Sequence, residues 1–168
     1  DNYNLAYVFA KAGKDFAIID ETEPPKFSQG QQFRIERWMI RNSHPRVHRI
    51  PGEFILIRGV LSPAVWKAYK KDEKLIYSRL RSLIEEAEPG RNNWILKKML
   101  EFHGASRFYI FKNRAYNMFF RNHEFKTVTS IDENSPSVKS ILDAARVNGM
   151  KTIGIQHGNI HDLHPAYR

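Results

Sequence analysis

Cysteine is absent from all 168 residues, so the chain can form neither a disulfide framework nor a thiolate metal site. That absence fits a reducing, cytoplasmic compartment. No apolar run is long enough to span a bilayer; the best, Phe54 to Val60, is interrupted by Arg58 and Gly59. The opening Asp1-Asn2-Tyr3-Asn4 lacks the basic stretch and following apolar stretch of a signal peptide. It also lacks an initial Met, and the end at Tyr167-Arg168 looks cut, so the chain reads as a piece of a longer protein. No glycine-rich phosphate loop of the G-x-G-x-x-G or P-loop form occurs. Internal repeats, low-complexity tracts and a convincing linker are missing too, which leaves a single domain over residues 1–168. Acidic residues are scarce beside basic ones, 18 against 27, giving a net charge of +9 and a pI near 9.8. A field of that sign attracts phosphates, whether on nucleic acid, lipid head groups or nucleotide-linked substrates.

What is present is ordinary globular material, 42% hydrophobic and 12% aromatic. Leu5 to Ala10 and Phe16 to Ile19 are short apolar runs that read as buried strands. Glu23 to Gln32 is a loop by its proline, glycine and polar content, Phe33 to Ile40 is apolar again, and Asn42 to Pro45 with Pro51-Gly52 bracket a turn region. Ser62-Pro63 is a helix start: serine can accept from an orphan amide, and proline has no amide hydrogen to leave unpaired. Val65, Tyr69, Ile76, Leu80, Leu83 and Ala87 then form one apolar stripe that ends at Pro89-Gly90. A second helix is expected over Asn92 to His103, burying Trp94, Ile95, Met99 and Leu100 and stopping at Gly104.

Beyond it, Arg107 to Phe111 reads as a strand and Arg114 to Asn122 as a short aromatic helix. Lys126 to Ile131 is a β-branched strand. Ser135-Pro136 repeats the helix start, with Val138, Ile141, Leu142 and Ala145 facing inward and Gly149 placed for a left-handed cap. Thr152 to Gln156 is a closing strand. Strand, helix and strand with short links form a βαβ unit, whose strands run parallel. An open, mostly parallel sheet with helices on both faces follows as the expected α/β architecture.

Ligands in such sheets bind beyond the carboxyl ends of the strands. Asp132, Glu133 and Asn134 follow one strand end; His157, Gly158 and Asn159 follow the other. Parallel strands bring both clusters to one edge, about 5 Å apart for neighbours and about 10 Å with a strand between. A histidine there can act near neutral pH as a base towards a hydroxyl, and Gly158 leaves room for a substrate against the backbone. A hydrogen-bonding histidine in a tight turn would use the same residues.

The stretches Ile131 to Pro136, Ala144 to Gly149, Lys151 to Gly158 and the tail His164-Pro165-Ala166-Tyr167 resemble GT-B glycosyltransferases and related proteins of bacterial surface (capsular) polysaccharide synthesis. The Gln156-His157-Gly158 element is also similar to glycerol-phosphate transferases of wall teichoic acid synthesis. The likeness covers the last part of the chain; before Ser106 no motif matches. It implies a Rossmann-like, doubly wound domain, the N-terminal, acceptor-binding half of a two-domain enzyme. That enzyme would transfer a sugar from a nucleotide-sugar donor to a surface polysaccharide or its lipid-linked precursor, or alternatively a glycerol-phosphate unit. By the same likeness His157 is the base on the acceptor, with Asp132, Glu133, Asn134, Gly158 and Asn159 lining its cleft. No metal and no cofactor is implied, the nucleotide-sugar being a co-substrate held mainly by a C-terminal half that these residues do not include. The isolated chain is accordingly expected to be inactive, in a cytoplasmic setting or peripheral on the inner face of the membrane.

Other readings use overlapping residues. His157, His161, Asp162 and His164 are close enough in sequence to suggest a metal cluster, though Gly158-Asn159 argues against the single helix that would align them. Phe108, Tyr109, Phe111, Tyr116, Phe119, Phe120 and Phe125 lie among Arg107, Lys112, Arg114, Arg121 and Lys126. Exposed, they would suit base stacking beside phosphates; packed, they are core, and no recognised nucleic-acid motif is present. Lys67, Lys70, Lys71 and Lys74 beside Trp66 and Tyr69 could touch an anionic membrane. A non-catalytic basic domain binding nucleic acid or an acidic glycan is the alternative from another class.

Overall fold

Among the described residues helix, rather than sheet, fills most of the intervals between the breakers. A computed structural model describes residues 8–9, 11–20, 48–130 and 135–155. The chain divides into two compact units, Asp1–Ile55 and Leu56–Arg168.

In the first unit Val8 and Phe9 are helical, which corrects the strand expected over Leu5 to Ala10. Strand β1 (Ala17–Asp20) falls where Phe16 to Ile19 predicts one, and it pairs in parallel with β2 (His48–Pro51), Ala17 opposite His48 and Asp20 opposite Pro51. The loop and apolar run expected between Glu23 and Ile40 lie outside the described residues. Pro51 ends the strand, and Gly52 starts helix α1 (Gly52–Val60), with Glu53 in its first turn and Arg58 in its last, each suited to the helix dipole.

The second unit is built on helices. Ser62 accepts from the Val65 amide at 3.3 Å and Pro63 opens α2 (Pro63–Glu86), as the sequence predicts. The stripe is only partly inward: Val65 and Tyr69 are buried, Leu80, Leu83 and Ala87 half-buried, and Ile76 exposed. Helix α3 (Arg91–Glu101) lies where the second helix is expected, yet Trp94, Ile95 and Met99 are exposed. On the opposite side Asn93, Leu96 and Leu100 are half-buried, and Asn93 donates to the carbonyls of Ile84 and Ala87. Apolar residues line both sides of this helix, so periodicity alone could not choose between them.

Helix α4 (His103–Arg121) is the largest local departure. It runs through Gly104, through the strand expected over Arg107 to Phe111 and through the short helix expected over Arg114 to Asn122. The physical reason lies in the sequence: no proline, and no glycine after Gly104, interrupts residues 105–121, and a continuous run of helix-tolerant residues extends a helix more cheaply than it opens a turn. Ile110, Ala115, Tyr116, Phe119 and Phe120 bury themselves along it. The remaining elements are β3 (Thr127–Ser130), α5 (Pro136–Val147) and β4 (Lys151–Gly154).

The doubly wound, mostly parallel Rossmann-like sheet is therefore not the architecture. Among the described residues the strands form two separate two-stranded parallel sheets, β1 with β2 and β3 with β4, and helix predominates. The core of the second unit is helical, set by α4 against α5 and α2. Trp66, Tyr69 and Phe111 cluster with ring centroids 5.3 to 6.0 Å apart, and Phe119, Phe120 and Phe125 form a second cluster at 5.5 to 6.2 Å. Arg107 pairs with Glu73 at 2.5 Å and Arg114 with Asp72, tying α4 to α2.

Candidate functional site

The β3–α5–β4 unit keeps the strand–helix–strand part of the α/β expectation. Thr127, Val128 and Thr129 favour the extended backbone of β3. Pro136 opens α5, while the side chain of Ser135 makes no capping hydrogen bond. Ile141, Leu142, Ala144 and Ala145 are buried as the pattern requires, and Val138 is half-buried. Gly149, with φ of +73°, closes the helix: its amide reaches the Arg146 carbonyl at 2.9 Å and the Met150 amide reaches Ala145 at 3.1 Å. That paired pattern satisfies two orphan carbonyls and buries Met150 as the chain turns into β4.

β3 and β4 pair directly and in parallel, Thr127 opposite Lys151 and Ser130 opposite Gly154. Hydrogen bonds extend the ladder beyond both strands, from Lys151 to the Lys126 carbonyl at 3.0 Å and from Ile155 to the Ser130 carbonyl at 2.8 Å. The alternative with a strand between them is thereby removed. The backbone leaving Ser130 and the backbone leaving Ile155 start side by side at one edge, on a strand spacing of about 5 Å.

Asp132, Glu133, Asn134, His157, Gly158 and Asn159 lie outside the described residues, as do His161, Asp162 and His164. The described residues give their attachment points: Ser130, buried at the end of β3; Ser135 at the entry to α5; and Ile155 just past β4.

Two groups near this unit were not anticipated. Lys112 is 1% exposed, and its ammonium donates to Ser137 Oγ in the first turn of α5. It lies 6.0 Å from the Phe108 ring centroid and 5.8 Å from that of Tyr116, so part of its desolvation is offset by aromatic faces. The signal for it is present in the sequence: 108, 112 and 116 recur at helical spacing, so reading one continuous helix puts the lysine inward among aromatics. The second group is a chain of contacts. Tyr109 donates to Asp143, Arg146 pairs with Asp143 at 2.9 Å, and Arg146 Nε reaches Thr152 Oγ1 at 3.0 Å. It links α4, α5 and β4. Burial first, and then the hydrogen bond to Asp143, pushes the Tyr109 phenol up to about 12. Tyr69 is also raised, by burial and then by Glu73.

The aromatic-basic segment is largely core: Tyr116, Phe119 and Phe120 are buried, and Arg107 and Arg114 are spent on ion pairs, while Phe108 remains exposed. On α2, Lys67, Lys70, Lys71 and Lys74 are exposed. Their aromatic neighbours are engaged elsewhere, Tyr69 being buried and Trp66 donating through Nε1 to the Val60 carbonyl at 2.7 Å. Among the described residues no group of three metal-ligating side chains occurs, and no helix is long and apolar enough to cross a membrane. No family model, curated protein or solved structure matches the chain.

Proposed function

We propose that this chain is the acceptor-binding part of an enzyme that transfers a sugar from a nucleotide-sugar donor to a bacterial surface polysaccharide or its lipid-linked precursor. The reading needs only the strand–helix–strand unit and not a large sheet. One observation carries it: β3 and β4 are parallel neighbours, so the segments holding Asp132, Glu133 and Asn134 and holding His157, Gly158 and Asn159 leave the sheet from adjacent strand ends. The resemblance of Gln156-His157-Gly158 to transferase motifs supplies the chemistry.

In this scheme the neutral imidazole of His157 accepts the proton of an acceptor hydroxyl as that oxygen bonds to the donor's anomeric carbon and the nucleotide phosphate leaves with the bonding pair. Gly158 leaves space for the acceptor, and Asp132, Glu133 and Asn134 orient it. Donor contacts fall to residues outside this chain, and the setting is cytoplasmic, where nucleotide-sugars are made.

The test is His157→Ala in the full-length protein, assayed for nucleotide release from a panel of nucleotide-sugars in the presence of lipid-linked glycan acceptors. Turnover should fall roughly a hundredfold or more, the contribution expected of a general base, with the circular-dichroism spectrum unchanged. A wild-type protein that binds acidic glycan or nucleic acid without turning over any donor, and whose affinity is indifferent to His157, is a binding domain and refutes the transferase reading.

A further inference from the structure

Lysines stand in the middle of α2 at positions 67, 70, 71 and 74, the three- and four-residue spacings that place side chains on one face of a helix. All of them are exposed. They lie opposite the inward side, where Val65 and Tyr69 are buried and where the nearby carboxylates are already engaged, Asp72 with Arg114 and Glu73 with Arg107. None of these lysines pairs with a carboxylate among the described residues. Arg81 continues the stripe two turns further on, its guanidinium held over the Tyr77 ring at 4.6 Å and not by an acid. From Arg58 to Ile84 the chain holds seven basic side chains and two acidic, and those two are the paired ones. The next acids, Glu85 and Glu86, come at the end of the helix, where Glu86 lies 3.8 Å from Arg79.

Like charges three and four residues apart destabilise a helix, and the pairs 67–70, 67–71, 70–74 and 71–74 all repel. A merely solvated face relieves such repulsion with an acid one turn away, as Lys98 does with Glu101 at 2.6 Å and Arg146 with Asp143 at 2.9 Å. The α2 stripe keeps its repulsion, which an external anion would relieve. From Lys67 to Lys74 it is about 10 Å long, at about 1.5 Å per residue. It offers no free stacking ring, because Tyr69 is buried and the partly exposed Trp66 is held against Tyr69 and Phe111. That removes the platform on which single-stranded nucleic acid is held. Its lysines are point charges, without the guanidinium fork that fits one phosphate or one base edge. Such a face recognises density of negative charge and little else, which suits the head groups of an anionic bilayer.

We propose that the outward face of α2, through Lys67, Lys70, Lys71 and Lys74 and continued by Arg81, docks by charge on an anionic lipid surface. The stripe stands on its own geometry; the choice of lipid over other polyanions rests on the transferase reading, in which an acceptor is lipid-linked. No residue of the β3–β4 edge takes part. Vesicle binding is measured without any sugar donor, so its failure and a failure of turnover are separate results.

The experiment is co-sedimentation of the chain with mixed phosphatidylglycerol–phosphatidylcholine vesicles and with pure phosphatidylcholine vesicles, at low and at high salt. It compares the wild type with a stripe variant, Lys67→Gln, Lys70→Gln, Lys71→Gln, Lys74→Gln. A control variant removes the same charge from exposed positions elsewhere, Lys97→Gln, Lys126→Gln, Lys139→Gln, Lys151→Gln. Glutamine matches lysine in helix propensity, and circular dichroism checks the fold of each. The wild type should bind the anionic vesicles and not the neutral ones, and high salt should release it. At about fivefold per lysine, the stripe variant should bind roughly a hundredfold or more weakly, while the control stays within about tenfold of wild type. Absence of binding to the anionic vesicles overturns the proposal. So does an equal loss in both variants, which would make net charge responsible and not the stripe. Stripe-dependent binding to oligouridylate that is tighter than binding to the vesicles would make this a nucleic-acid face and overturn it equally.

Discussion

A β-carbon added at Gly59 would stand 2.7 Å from the β-carbon of Ala115, closer than real side chains approach. Helix propensity alone favours alanine there by about 1 kcal/mol, whereas forcing the two helices apart costs about 1–3 kcal/mol. The second effect should win. Gly59→Ala is expected to lower stability in urea unfolding, and to cost less in an Ala115→Gly background, which removes the obstructing carbon. Equal cost in both backgrounds would place the two helices further apart than described. Tyr109 gives a pH-dependent counterpart. Its phenol holds its proton more tightly folded than unfolded, so the stability it contributes is whole below about pH 10 and is lost as pH rises towards about 12. Tyr109→Phe should therefore cost about 1 kcal/mol at neutral pH, the worth of the hydrogen bond to Asp143. The deficit against wild type should shrink between pH 10 and 12 when unfolding midpoints are followed across that range.

At the scale of elements, the helix ends were the most legible features. Ser62-Pro63 and Gly149 announce their caps because capping is local chemistry, decided by one side chain or one φ angle. Ser62→Ala is accordingly expected to cost about 1 kcal/mol, read as a lower thermal midpoint with unchanged helix content once folded. Ser135 shows the limit of the same rule, since its sequence context matches while its side chain makes no capping bond. Strands β3 and β4 were legible through β-branched content and through the breakers around α5. The split of α4 into strand and helix was not, because an aromatic-rich segment satisfies both periods until its partners are known. Lys112 was missed for that reason: between a strand ending at Phe111 and a helix starting at Arg114 it falls in a solvated link, and on a continuous helix it points into the core. The strand-end edge of the candidate site could be inferred from sequence, as parallel pairing follows from the strand–helix–strand order.

For the whole molecule, the balance of helix and sheet is the measurable consequence. Far-ultraviolet circular dichroism should be dominated by helix, and urea should abolish that signal together with tryptophan emission shifts from the Trp66–Tyr69–Phe111 cluster. A sheet-dominated spectrum would contradict the architecture. The sequence by itself determined the absence of cysteine chemistry, the basic charge, the caps at Ser62 and Gly149 and the β3–α5–β4 unit, because composition and short-range geometry depend on neighbours along the chain. Tertiary structure alone decided that the described strands stay in two small pairs, that α4 is one helix with a lysine inside it, and that α3 turns Trp94 outward. Each of these depends on which surfaces meet, and burial is a property of partners far apart in sequence.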